Sequence, residues 1–141
     1  MASGISPKLP LSLDTNDGHY EMTKTVKENV AQNLKNLILT IPGEKIMDTN
    51  FGVGLISFLF KQNTEEVHGE IYEKISQQVA TYMPFVGIEE IYFSNETSEM
   101  GLGMLTPNEE SVDMHSLSIR VEFTIRPLDV QEILDITVGI N

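Results

Sequence analysis

Two apolar segments joined by a stiff turn set the tightest limit on how this chain can fold. Between Asn33 and Phe60 the sequence reads NLKNLILTIPGEKIMDTNFGVGLISFLF. A helical apolar stripe stops at Pro42-Gly43-Glu44, and a second apolar block begins after a polar DTNFG elbow. Proline fixes its own φ and glycine supplies turn conformations, so the chain must reverse there with little slack and hold the two segments at one angle.

The flanking periodicities define the elements. Val26, Val30, Leu34, Leu37, Ile38 and Ile41 recur at three- and four-residue spacing, which predicts an amphipathic helix over 22–41 with Lys24, Lys27, Gln32, Lys35 and Asn36 on its wet face. Thr25 and Glu28 have capping-box spacing, and Pro42 with Gly43 stops the helix. Residues 46–51 are turn-like, with Asp48, Thr49 or Asn50 available as a cap. Val53 to Phe60 follows as a short apolar helix that shows Leu55, Phe58 and Leu59 to the core. A third helix is predicted over 64–83, capped by Thr64, with Glu65 and Glu66 at its positive end, Val67, Ile71, Ile75, Val79 and Tyr82 buried, and Pro84 as its stop.

From Phe85 the period changes to two. Val86 and Ile88 change parity at Ile91 and Phe93, which places a bulge near Glu89-Glu90. Residues 95–113 carry Gly101, Gly103 and Pro107 and read as a long hairpin loop. Leu117, Ile119, Val121, Phe123 and Ile125 alternate strictly with polar residues. A turn over Pro127 to Glu132 leads to a last strand with Leu134, Ile136, Val138 and Ile140. Residues 1–21 read as an extended arm with a short edge strand at Leu9, Leu11 and Leu13, because Pro10 cannot donate within a central ladder. The expected fold class is α+β: three helices packed on one face of a small antiparallel sheet, with the arm at 1–21 and a single domain at 22–141.

Composition excludes several function classes. At 141 residues the chain can bury one core unaided, and it has no cysteine for a disulfide or a thiolate metal site. A formal net charge of −12 with nine scattered basic residues argues against nucleic-acid binding. Its apolar blocks fall short of the roughly 20 residues that cross a bilayer, and no export signal is apparent, so a soluble chain without membrane insertion is expected.

Chemical motifs are weak. Glycoside cleavage needs two carboxyl groups roughly 5 to 9.5 Å apart across a cleft. Glu89-Glu90 and Glu109-Glu110 fit poorly, since neighbours on a strand point to opposite faces and a loop pair is solvated. Glu65 and His68 have the Glu-x-x-His spacing of carboxylate di-metal bundles, but only in one copy. Asp113 and His115 lack a third ligand, and His19 stands alone. Neither a catalytic residue, a metal site nor a cofactor is assigned. Met47 and Met83 read as core fillers, while Met100, Leu102, Met104 and Leu105 make the 95–113 loop apolar enough to dock on a partner.

The Asn33–Phe60 stretch resembles the baseplate wedge family of contractile tails, comprising the gene-25 product of T-even phages, the W-type proteins of smaller myophages, and counterparts in pyocins, extracellular injection particles and type VI secretion baseplates. The residues that carry the likeness are Asn33-Leu34, Leu37 to Leu39, Thr40, Pro42-Gly43-Glu44, Asp48, Asn50-Phe51-Gly52, Gly54-Leu55 and Leu59-Phe60. It continues more loosely through the strands to about Val138, with the same order of elements. One departure is the Glu-Pro-Arg triplet common after the third helix, which is Met83-Pro84-Phe85 here, so contacts by those charges do not carry over.

The resemblance implies a structural, non-enzymatic subunit, present in multiple copies in a ring-shaped virion tail baseplate that assembles in the host bacterial cytoplasm. Its implied partners are other baseplate wedge subunits, the tail sheath protein, and hub or tube-initiator proteins. The implied partner-binding residues are Pro42, Gly43, Glu44, Asp48, Phe51 and Gly52 in the elbow, Met83, Pro84 and Phe85 after the third helix, and Leu134, Ile136 and Val138 in the last strand. Two competing readings remain: a regulatory binding protein of the anti-adaptor type, which resembles the same fold, and a peptidoglycan hydrolase, since family members have been labelled lysozyme-like.

Overall fold

The computed structural model describes residues 4–16, 18–62, 64–94, 116–126 and 128–139. Their element order is α1 (Val26–Leu39), a 3-10 turn (Leu55–Phe60), α2 (Glu65–Tyr82), β1 (Val86–Ser94), β2 (Ser116–Ile125) and β3 (Val130–Gly139). The expected long loop at 95–113 and the expected end of the last strand at Ile140 lie outside the described residues.

Helix α1 begins where its capping box dictates. The Glu28 N–H donates to Thr25 Oγ1 at 3.2 Å, and the Thr25 N–H donates to the Glu28 carboxylate at 3.3 Å. Backbone N–H groups of Lys24 and then Thr25 hold that carboxyl below its ordinary pKa, because they favour its ionised form. Val30, Leu34, Leu37 and Ile38 are buried as the stripe requires. Val26 and Ile41 are exposed instead, since they lie at and beyond the ends of the helix, where its core-facing surface has run out.

The second apolar block forms a 3-10 turn of six residues rather than an α-helix. Gly54 starts it in the left-handed region at φ 70, and Lys61 ends it in extended geometry. Six residues leave little length for i→i+4 bonding, and i→i+3 bonds close so short a segment. Leu55, Phe58 and Leu59 nevertheless face the core. In α2, Thr64 accepts the Val67 N–H, and Ile71, Ile75 and Val79 are buried, with Val67 and Tyr82 packed at the margin.

The sheet is antiparallel in the order β1-β2-β3. Its first ladder shifts register between Ile88 and Glu90, where the parity change predicts a bulge. The second ladder runs without a break from Ser116↔Gly139 to Ile125↔Val130, so β3 starts four residues earlier than Leu134. Gln131 and Glu132 are poor strand formers by propensity, but cross-strand pairing with Thr124 and Phe123 overrides that preference. The Glu132 carboxylate also meets Lys27 of α1 at 2.8 Å. Every inward residue of β2, from Leu117 to Ile125, is buried and joins Ile136, Val138 and the helical stripes in one core cluster. The opposite sheet face carries Arg120, Gln131, Ile133, Asp135 and Thr137, all exposed.

The expected edge strand at Leu9, Leu11 and Leu13 does not form. Pro7 instead bridges Met22, with the Ile5 N–H donating to the Thr23 carbonyl at 2.9 Å and the Thr23 N–H to the Ser6 carbonyl at 2.8 Å. Gln32 of α1 completes the attachment by donating to the Pro7 carbonyl and accepting the Leu9 N–H, both at 2.9 Å. Residues 5–9 are thus bound to their own chain, while Leu11 and Leu13 remain exposed.

Glycine at position 52 is a steric requirement. Its φ is 113°, and a Cβ there would lie 2.2 Å from the Thr40 carbonyl oxygen. Gly43 also has a positive φ of 94°, but open space surrounds it. Gly52→Ala is therefore expected to cost at least about 2 kcal/mol in urea unfolding, and Gly43→Ala roughly half as much, since only the first adds a clash to the backbone strain. Equal losses at the two positions would show that the close approach to Thr40 is unimportant.

Candidate functional site

The elbow and the end of α2, far apart in sequence, meet in one constellation. Thr40 leaves α1 in extended geometry, the Glu44 carboxylate accepts the Ile41 N–H at 3.1 Å, and the Gly43 N–H crosses the elbow to the Thr49 carbonyl at 2.9 Å. The returning segment then docks on the end of α1: Val53 N–H donates to the Leu37 carbonyl at 3.0 Å and Gly54 N–H to the Thr40 carbonyl at 2.9 Å. From the other side, Gln78 of α2 grips the elbow with both ends of its amide. It accepts the Gly52 N–H at 2.9 Å and donates to the Asn50 carbonyl at 3.0 Å.

One turn later, Tyr82 donates its hydroxyl to Asp48 at 2.8 Å and meets the Phe51 ring edge-on, with centroids 4.9 Å apart. Lys45 lies over the other part of this cluster, 4.3 Å from the Phe51 centroid. The Tyr82 phenol is raised above its ordinary pKa, first by the hydrogen bond to Asp48 and then by desolvation and the charge of that carboxylate.

A cleft of about 570 Å³ opens beside this constellation, walled by Leu37, Phe51, Tyr82, Met83 and Phe85 with Lys45 at its margin. The structure therefore gathers Glu44, Asp48, Phe51 and Gly52 with Met83 and Phe85 around one surface. Pro42, Gly43 and Pro84 are exposed and do not line the cleft. Met83 is 6% exposed and belongs to the core, whereas Phe85 is 40% exposed. Leu134, Ile136 and Val138 are not part of this surface. Ile136 and Val138 point into the core and Leu134 packs against it, so a partner reaching β3 meets its backbone edge and the outward side chains of Ile133, Asp135 and Thr137.

Sequence reasoning missed Gln78, Tyr82 and Lys45. Gln78 and Tyr82 lie four apart on α2, a spacing that signals a shared face but not a partner 28 residues upstream. Met47 corrects the expectation of a core filler: it is 92% exposed, because it sits on the outside of the elbow where no second layer covers it.

The acidic pair on β1 and the histidine of α2 are engaged in local contacts. Glu89 and Glu90 do not point to opposite faces, because the bulge puts both on the exposed side of the sheet. Thr124 donates to Glu89 at 3.1 Å, Tyr92 donates to Glu90, and Glu90 lies opposite Glu122. The hydrogen bond to Glu90 raises the Tyr92 pKa. With Glu122, Gln131 and Ile133 they border a cleft of about 500 Å³ on that open face. His68 stacks face to face on Phe93, with centroids 4.1 Å apart. Among the described residues, no group of three or more His, Asp or Glu is placed to hold a metal. Glu109, Glu110, Asp113, His115 and the Met100–Leu105 run lie outside the described residues.

The described residues form a helix-and-sheet body in which β1 and β3 each pair only with β2, beside a clamped, apolar-walled surface. Residues 24–127 match the family described as baseplate wedge protein gp25, and the chain belongs to that family. Its fold is similar to that of a candidate tail lysozyme from Geobacter sulfurreducens, with a TM-score of 0.64 and 16% identity over 86% of this chain and 96% of that one. It is also similar to a chain of the anti-feeding prophage baseplate, with a TM-score of 0.63 and 22% identity over 85% of this chain and 83% of that one. At these identities both likenesses show a shared fold. No curated protein matches the chain. The family is one of structural proteins of phage-like contractile tails, which makes the baseplate the location and other baseplate subunits the partners.

The raised phenol fixes the sign of a pH test. A group whose folded pKa lies above its unfolded value stabilises the fold fully below the unfolded pKa, about 10 for tyrosine, and loses that contribution as pH climbs through the folded value. Tyr82→Phe should thus lower the urea midpoint by a constant amount from about pH 6 to about pH 9, with the difference from the parent shrinking above pH ~10. A deficit that grew at alkaline pH would contradict the Tyr82–Asp48 bond.

Proposed function

We propose that this chain is a non-enzymatic wedge subunit that joins the inner wedge core of a contractile-tail baseplate to the first sheath ring. The family match over residues 24–127 carries this reading. The helices lie on one face of the sheet, and residues 1–21 act as an arm beyond the 22–141 body. Among the described residues β1 and β3 pair only with β2, so each offers an open backbone edge. A sheath strand adds to the β3 edge by main-chain hydrogen bonds, which transmit displacement more stiffly than side-chain contacts do.

The elbow and the 83–85 turn face the wedge core, with hub or tube-initiator proteins further inward. Phe85 supplies apolar contact where relatives of this family carry an arginine, and the buried Met83 fixes the turn. Copies of the subunit form a ring, assembled in the bacterial cytoplasm.

Co-expression with the neighbouring tail subunits tests this. Assembled baseplates should contain the chain, and a thiol placed by Ile133→Cys in this cysteine-free sequence should crosslink to sheath protein. Crosslinks confined to non-sheath subunits would remove the β3 assignment. The purified chain should leave peptidoglycan intact; a lytic activity abolished by Glu89→Gln or Glu90→Gln would restore the hydrolase reading.

A further inference from the structure

Ile46 and Met47 are the two most exposed large apolar side chains among the described residues, at 90% and 92%. They occupy the central positions of a turn from Lys45 to Asp48, closed by the Asp48 N–H donating to the Lys45 carbonyl at 3.3 Å. Turn centres favour Gly, Pro, Asn, Asp and Ser, which bend or solvate readily. Two large apolar residues there satisfy neither the turn nor the core. Conflicts of this kind between local rule and structure mark functional positions.

The turn that carries them is held from several sides. The Gly43–Thr49 bond closes its base, Gln78 grips the backbone on both sides of Phe51, and Tyr82 holds Asp48. Exposed apolar groups on a fixed backbone lose little conformational entropy on binding, which is the condition for a strong anchor. We infer that Ile46 and Met47 form a rigid apolar prong that inserts into a concave apolar pocket of a different baseplate subunit, with a carboxylate at the pocket rim meeting Lys45.

The occupant follows from shape and charge. A convex tip needs a concave partner, and burying two such side chains needs an apolar lining. Glu44 and Asp48 already accept the Ile41 N–H and the Tyr82 hydroxyl, while Lys45 forms no ion pair among the described residues, so Lys45 is the elbow charge left to meet a carboxylate. A second copy of this chain fits less well, because two bodies of net charge −12 repel. The inference rests on the wedge reading and adds the residues that dock.

The test uses the full chain co-expressed with the other tail subunits. The double variant Ile46→Ser, Met47→Ser should unfold within about 2 °C of the parent, as surface changes do, yet enter assembled baseplates at least about tenfold less. Gln78→Ala leaves the prong chemically intact. It should speed amide exchange at residues 50–52 and still reduce entry about threefold or more, since the prong is no longer fixed. Lys45→Glu should reduce entry, with partial recovery at high salt. A photocrosslinker at position 47 should trap another baseplate subunit.

Unchanged entry of the double variant would overturn the prong, as would a large fall in its unfolding temperature, which would mean that the two side chains pack internally. Crosslinks to a second copy alone would overturn the assigned partner. If the parent chain itself fails to enter baseplates, the wedge reading falls; if the parent and the double variant enter equally, only the prong does.

Discussion

The close approach of Gly52 to the Thr40 carbonyl is the contact on which the rest of the structure depends. No side chain fits between them, and the Val53–Leu37 and Gly54–Thr40 hydrogen bonds that follow lock the reversal in place. That geometry sets the angle at which Leu55, Phe58 and Leu59 enter the core beside α1. It also throws residues 43–50 outward as a closed, convex elbow. Core packing and surface shape are therefore two results of one backbone constraint.

α2 serves both sides of this arrangement. Its inner stripe of Ile71, Ile75 and Val79 packs into the core, and Val86 follows directly into β1 through a turn that Pro84 allows. At its C-terminal end, Gln78 and Tyr82 turn sideways and hold the elbow by polar bonds rather than by burial. Such bonds contribute little net stability, since water would otherwise satisfy the same groups, but they are directional. Direction is what fixes the elbow in one position.

The sheet divides its labour by face and by edge. The inward residues of β2 are all buried, which anchors the helices, while the outward face is polar and carries the Arg120–Asp135 pair at 2.7 Å. The edges of β1 and β3 keep backbone groups that no strand among the described residues pairs, which leaves them open to pairing with another chain. At the β3 edge it is the backbone that stays available, because the apolar surface of Ile136 and Val138 is already committed to the core.

Periodicity alone determined much of this protein. Thr25, Thr64 and Pro84 bound the helices as their chemistry requires, and the parity change at Glu89-Glu90 located the bulge, because caps and pleats are local consequences of residue type. The Pro-Gly-Glu elbow was legible as a reversal, and with its neighbours it carried the family likeness. What lies across the elbow was not legible. The grip of Gln78 on Asn50 and Gly52, the bond from Tyr82 to Asp48, and the exposure of Met47 all depend on which surfaces meet after collapse. The early start of β3 and the return of Pro7 to Met22 depend likewise on pairing between distant segments, which outweighs the local preferences of Gln131, Glu132 and Leu9. Residue types set what each segment tends to become; only the packed chain decides which distant groups are close enough to bond.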